Sequence, residues 1–161
     1  MRASEEPIVA GDERREAFTP FARDAEPRLR IALAAAVGQE LGADATAEAL
    51  AYGWEHWQRI APMQNPVGYL YRVGRNSVRP PKRLRLPAVP VAHTPYVEPA
   101  LPAALAKLSD RQRVVVVLVH GFDWNHDEVA SLLEVDTPTV ATHLRRGLAK
   151  LRKHLKVESH A

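Results

Sequence analysis

The sequence contains no cysteine, which excludes a disulfide framework and a thiolate metal site and fits a reducing compartment. It has no long hydrophobic run. The longest apolar stretches, "IALAAAV" and "VVVVLV", fall far short of the roughly 20 residues a membrane-spanning helix needs. The first sixteen residues, "MRASEEPIVAGDERRE", lack the apolar core of a secretory signal, so the expected location is the cytoplasm. The seven histidines show no HExxH or other paired-ligand spacing, and neither a glycine-rich phosphate loop nor a GxSxG elbow occurs. No metal, no cofactor and no enzymatic activity are expected. The strands of a nucleotide-binding sheet are missing as well.

Acidic residues are scarce in one part of the chain only. Residues 1–60 hold seven Lys/Arg and eleven Asp/Glu, whereas residues 61–161 hold fifteen and eight. The net charges are −4 and +7, which sum to the formal +3 of the whole chain. A basic half on an otherwise ordinary chain suggests a polyanionic partner. From charge alone, a solubilising face explains it as well.

Proline is concentrated: seven of the thirteen fall in residues 80–102. Proline fixes φ and removes a backbone donor, so this stretch reads as a semi-rigid extended linker rather than a helix or inner strand. It separates a segment at 12–79 from one at 103–157, with residues 1–11 expected to be disordered. Both segments read as helical, giving an all-α chain of two small domains. In the first, Leu29, Leu33 and Val37 lie four apart on one face. Pro27 is expected to open that helix or break it from the one before. Asp44 is a candidate cap for a helix carrying Leu50, Trp54 and Trp57. Asn65 and Pro66 then start a third helix, with Leu70 and Val73 inward.

The second segment has clear punctuation. Ser109 with Gln112 forms a capping box before "RQRVVVVLVH", and Gly121 is a natural stop. Asn125 with Glu128 opens "HDEVASLL", and a short turn leads to a last helix capped at Asp136 or Thr137. Two helices joined by a turn of three or four residues make a helix-turn-helix.

On a 100° wheel the last helix places Val140, Leu144, Leu148, Leu151 and Leu155 within about 80° of one another. Thr139, Thr142, Arg146, Lys150 and Lys153 lie opposite, flanked by His143 and Arg145. Replacing Leu144 should therefore unfold the domain. A solvated helix whose bases complement its own dipole explains Lys150 to Lys156. It explains Thr139, Thr142, His143 and the paired arginines less well. Arg, Thr and His can reach base edges, and the amino-terminal part of such a helix lies in the major groove. Thr137, Thr139, Thr142, His143, Arg145, Arg146 and Lys150 are the candidate DNA contacts.

Residues 108–155 resemble region 4 of bacterial RNA polymerase sigma factors, above all the extracytoplasmic-function class. The features are Leu108, Gly121-Phe122, Asp127-Glu128-Val129-Ala130, and Thr139-Val140 through Leu151-Arg152. "NPVGYLYRVGRNSVR" is similar to the "WL..IARN" motif of region 2, with Tyr69-Leu70 and Arg75-Asn76 at the matching positions. The resemblance implies a DNA role for Tyr69, Arg75 and Asn76, and Tyr71 and Arg72 beside them read as further DNA contacts. It implies polymerase contacts for Glu48 and Glu55. Where the family carries an acidic motif of the form "AEDLVQE", this chain has "ATAEALA", and Pro80-Pro81 replaces an acid expected after the arginine-asparagine pair. The implied partners are double-stranded promoter DNA, core RNA polymerase and an anti-sigma factor, with no membrane. The family's two promoter elements lie on the order of 60 Å apart, which a proline-rich tether of about 20 residues at about 3.1 Å each spans.

Tyr52, Trp54 and Trp57 read as core aromatics or as a stacking platform for an unpaired base. Arg79, Lys82, Arg83 and Arg85 read as a solvated linker or as a phosphate track. The sequence thus points to a sigma-like initiation factor. Its alternative is a stand-alone helix-turn-helix regulator, and a third reading is an interaction module for an anti-sigma factor.

Overall fold

The computed structural model describes residues 6–79 and 99–155, and every element among them is a helix. The order is α1 (Glu6–Val37), α2 (Gln39–Glu55), α3 (Trp57–Ile60), α4 (Pro66–Ser77), α5 (Leu101–Ala106), α6 (Asp110–Val116), a π turn (Val117–Gly121), α7 (His126–Leu133) and α8 (Thr137–Leu155). None of these helices is long and apolar enough to cross a membrane. Residues 80–98, which include most of the proline-rich stretch and the bases Lys82, Arg83 and Arg85, lie outside the described residues.

Helix α1 departs from expectation twice. It begins at Glu6, inside the stretch read as disordered, and it runs through Pro20 and Pro27 without a break. Both prolines are exposed. The carbonyls they leave without an N–H partner, four residues earlier on Glu16 and Arg23, belong to exposed residues where water can serve them. The opposite face buries Ala25, Leu29, Ala32, Leu33 and Ala36 completely, and that burial holds the helix together. Proline costs about 3 kcal/mol in a helix interior relative to alanine, less about 1 kcal/mol for the unfolded-chain entropy it removes. Pro27→Ala is therefore expected to stabilise the chain by about 1–2 kcal/mol and to raise the thermal midpoint by several degrees. A scanning calorimeter trace with an unchanged midpoint would show that the backbone has already relaxed around the ring.

Gly38, at φ 94, reverses the chain between α1 and α2 and is the N-cap of α2. That conformation is open to glycine and strained for other residues. Asp44, expected as the cap, sits exposed within α2 instead. Trp57 lies beyond a break at His56, yet both tryptophans meet Phe18 edge-on, with ring centroids 5.7 Å (Trp54) and 5.2 Å (Trp57) away. They belong to an aromatic cluster on α1 rather than to an open stacking platform.

The valine-rich stretch is helical, as its cap implies. Ser109 and Gln112 form both bonds of their capping box. The helix does not stop on a left-handed Gly121. It widens into the π turn, and Asp123 (φ 56) makes the reversal, with Trp124 donating to the Leu118 carbonyl at 3.0 Å. At the other end, Leu101 and Pro102 belong to the first turn of α5 rather than to the linker, where the missing proline N–H is no loss.

One hydrophobic core joins the two halves of the chain. Leu29, Leu33, Ile60 and Leu70 from the first half and Val114, Val115, Leu118, Val129, Leu132 and Val140 from the second are fully buried or nearly so, in a single cluster. Helix α1 packs on α6 and the π turn, and α4 packs on α7. A second, smaller cluster of Ala104, Leu108, Val116 and Leu151 ties α5 and α6 to α8.

Candidate nucleic-acid interface

Helices α7 and α8 follow one another across the short turn Glu134–Asp136, where the sequence leads one to expect a helix-turn-helix. Asn125 and Glu128 complete their capping box at the start of α7. Its end is closed by Glu134 in the left-handed region (φ 55), with the Val135 N–H reaching back to the Ala130 carbonyl at 3.0 Å. Asp136 then caps α8, accepting from the Thr139 N–H at 2.8 Å. Hydrogen bonds from the Thr139 side chain and backbone hold the Asp136 carboxyl below the usual carboxylate range. The Thr137 hydroxyl donates to Asp127 Oδ1 at 2.8 Å, so its proton is committed to bracing the two helices.

The wheel is realised in three dimensions. Val140, Gly147 and Leu151 are buried, and Leu144, Leu148 and Leu155 are half-buried against the cores. At Gly147 the helix crosses α6 so closely that a Cβ would stand 2.8 Å from Val116 Cγ2, which requires glycine there. Arg145, Arg146, Lys150, Arg152 and Lys153 are exposed. None of these five forms an ion pair among the described residues. Thr139, Thr142 and His143 are half-exposed beside them. Burial, then the Arg111 and Arg146 charges, lower the His143 pKa, so the imidazole stays neutral at pH 7 and offers one donor and one acceptor. The sequence reading did not single out Arg111. It stands on α6, exposed, one residue before Gln112, whose backbone and Cβ face Gly147.

The α4 candidates have a different setting. Asn65 caps the helix, accepting from the Gly68 N–H at 3.0 Å, with Pro66 at its first turn. Tyr69 Oη lies 3.4 Å from Tyr52 Oη, and Arg59 donates to both, at 2.5 Å to Tyr52 and 3.4 Å to Tyr69. Tyr52 also stacks on His56, at a centroid distance of 4.0 Å. Arg72 lies over the Tyr69 ring and pairs with Glu134 at 3.3 Å. Arg75 pairs with Asp110. Asn76 is exposed. Arg72, Arg75 and Asn76 thus line one cleft with Asp110, Arg111 and Glu134, while Glu48 and Glu55 stand exposed, seven residues apart, on α2.

Beneath that cleft lies Arg113, only 2% exposed. Its Nε donates to the Ala35 carbonyl at 2.6 Å and its Nη2 to Ala36 at 2.7 Å, the carboxy-terminal carbonyls of α1. Its other donors reach Leu108 O (3.1 Å) and Asp110 Oδ1 (2.8 Å). Burial tends to raise the Asp110 pKa, but the hydrogen bonds and charges of Arg75 and Arg113 outweigh it and leave the carboxyl below its ordinary value. A carboxyl depressed on folding adds stability above its unfolded pKa and loses it as pH falls through the folded one. Stability is thus expected to decline on acidification below about pH 4. Asp110→Asn should flatten that decline in urea titrations run at a series of pH values. An unaltered slope would assign the acid sensitivity to other carboxylates.

Comparison with known proteins agrees with this geometry. Residues 99–151 match the family described as sigma-70, region 4. The RNA polymerase sigma-E factor of Streptomyces antibioticus is 34% identical over 120 residues, covering 67% of each chain. Among solved structures, the sigma factor RpoE of Bartonella quintana, in co-crystal with the anti-sigma factor NepR, is similar with a TM-score of 0.62 at 17% identity, over 89% of this chain and 99% of that one. The last of these speaks for the helical fold, and the first two for the lineage. The chain belongs to the sigma-70 family of RNA polymerase sigma factors.

Proposed function

We propose that this sigma factor joins core RNA polymerase and directs it to promoters by reading DNA sequence, α8 taking the upstream element and α4 the downstream one. The observation that carries the reading is the outer face of α8. Arg145, Arg146 and Lys150 project from it without acidic partners among the described residues, next to half-exposed Thr139, Thr142 and His143. Bases placed this way neutralise phosphates and reach base edges. Residues 12–79 then act as a region 2-like unit and the segment from Leu101 as a region 4-like unit, with the stretch before α5 as the tether. Glu48 and Glu55 face the polymerase. An anti-sigma factor is a further partner, as the Bartonella quintana complex has one.

A stand-alone regulator is the second reading, favoured by the "ATAEALA" stretch with its single acid. Co-elution with core polymerase at moderate salt separates the two. A stable complex supports the initiation factor. No complex, with DNA binding intact, leaves the regulator.

A further inference from the structure

Tyr71 is buried where the sequence leads one to expect a DNA contact, with only 8% of its surface exposed. Burial pushes its phenol up to about 12, so the hydroxyl keeps its proton and can donate it. No hydrogen bond joins that hydroxyl to another described residue. Among the described residues, the fully enclosed side-chain atom without a partner is Arg14 Nε. The Tyr71 hydroxyl is therefore not sealed in, and the opening that Tyr71 lines is the cleft between α4, α6 and α7. Buried polar groups are as a rule satisfied, so a donor left over at the floor of a cleft points to something that binds there.

The cleft has a volume of about 510 Å³, within the range of small-molecule sites. Its charges are unbalanced. Arg75 gives Asp110 only its Nη2, and Arg72 pairs with Glu134 at 3.3 Å. Arg111 forms no ion pair among the described residues. Arg113 lies beneath and holds the other oxygen of Asp110. Four guanidinium groups thus stand against two carboxylates, an excess of two positive charges. Both Asp110 oxygens are engaged by arginines, and Glu134 is engaged by Arg72, so each acid is screened from an incoming anion. Leu132 and Leu133 line the same cleft and give it an apolar side.

Water satisfies a hydroxyl but leaves such a charge excess in place. A phosphate dianion answers both, with acceptor oxygens for the phenol and charge-assisted bonds for the guanidinium groups. We propose that the cleft between α4, α6 and α7 is a binding site for the phosphate group of a small molecule, with Tyr71 Oη, Arg75 and Arg111 as its donors. The site itself does not depend on the proposed function. Its consequence does: Arg72, Arg75 and Asn76 line the same cleft, so an occupied site takes from the promoter the residues that function assigns to it.

Calorimetric titration of the full chain with inorganic phosphate and, separately, with phenyl phosphate reads the site directly. The expected result is one equivalent bound with a Kd under about 1 mM. Tyr71→Phe keeps the ring and removes the donor. It should weaken binding about tenfold, the effect of one charge-assisted hydrogen bond. It should not lower the thermal midpoint, because the hydroxyl has no partner within the described protein to lose. Arg111→Gln should weaken binding at least as much, while Lys153→Ala, near the far end of α8, should leave it nearly unchanged. Tighter binding of phenyl phosphate identifies an ester as the occupant, with its ring against the leucines, and equal binding identifies the free ion. Either result upholds the site. No binding at about 10 mM of either probe, equal losses in the Tyr71, Arg111 and Lys153 variants, or a lowered midpoint in Tyr71→Phe overturns it.

Transcription with core polymerase, run with and without saturating phenyl phosphate, tests the consequence. The expected result is a loss in the parent chain that is absent in Tyr71→Phe. Binding in the calorimeter with transcription unaffected upholds the site and overturns its consequence for DNA. No transcription under any condition overturns the initiation reading, and the titration still decides the site.

Discussion

Arg113→Ala is expected to lower the unfolding free energy by about 3–5 kcal/mol and the thermal midpoint by about ten degrees or more. The reason is the set of acceptors left behind. Ala35 and Ala36 are 1% and 0% exposed, and their carbonyls lie at the end of α1, where no intrahelical N–H remains to serve them. Each buried acceptor stranded without a partner costs about 1–3 kcal/mol. Asp110 adds less, because its side chain is 39% exposed and water can solvate it. The cavity left in a packed interior adds its own cost. Burial lowers the Arg113 pKa and the Asp110 hydrogen bond and charge oppose that only in part, but a guanidinium starts so basic that the group folds as a cation. Arg113→Lys separates charge from geometry. An ammonium keeps the charge but cannot spread donors over four acceptors, so the variant should fall between the parent and the alanine chain. Calorimetry on the full chain gives the answer. A drop under about 1 kcal/mol would mean that water reaches the carbonyls and that the interface of the two halves is open in solution.

Much of the second half, and the start of α4, was legible because the signals there are local. The capping boxes at Ser109 and Asn125, and the caps at Asn65 and Asp136, each close within three residues, so the sequence displays both partners. The apolar stripe of α8 was legible for the same reason, since 3.6-residue periodicity is a short-range pattern. What escaped the sequence depends on distant partners. The acceptors of Arg113 lie 77 and 78 residues away, and among four neighbouring valines an arginine gives no sign that it will be buried. The same holds for Arg75 and Asp110, 35 residues apart. Helix α1 continues through Pro20 and Pro27 because its inner face is buried by α2 and α6, a tertiary gain that outweighs a local penalty. The aromatic cluster of Phe18, Trp54 and Trp57 likewise forms only when α1 meets α2 and α3.

Arg146→Ala is expected to weaken DNA binding by about 10- to 100-fold, corresponding to the roughly 1–3 kcal/mol of a lost arginine contact to a base edge. The guanidinium is exposed and forms no ion pair among the described residues, so its loss should leave the unfolding free energy within about 0.5 kcal/mol of the parent. That separation makes the variant a probe of function rather than folding. Two kinds of contact are then told apart by salt. If Arg146 holds only a phosphate, affinity falls about equally for all sequences and the salt slope drops by about one. If it reads a base, the loss is concentrated on the preferred site, and discrimination at one position relaxes. Its position favours the second. Arg146 stands one turn from Thr142, next to the neutral imidazole of His143, on the half of α8 that such helices place in the major groove. Lys153, near the other end, should change affinity less than threefold when replaced by alanine, because it lies beyond that half. Equal losses at 146 and 153 would show α8 to be a sequence-blind basic rod. An unchanged affinity at 146, with the fold intact, would move the reading surface off α8 altogether.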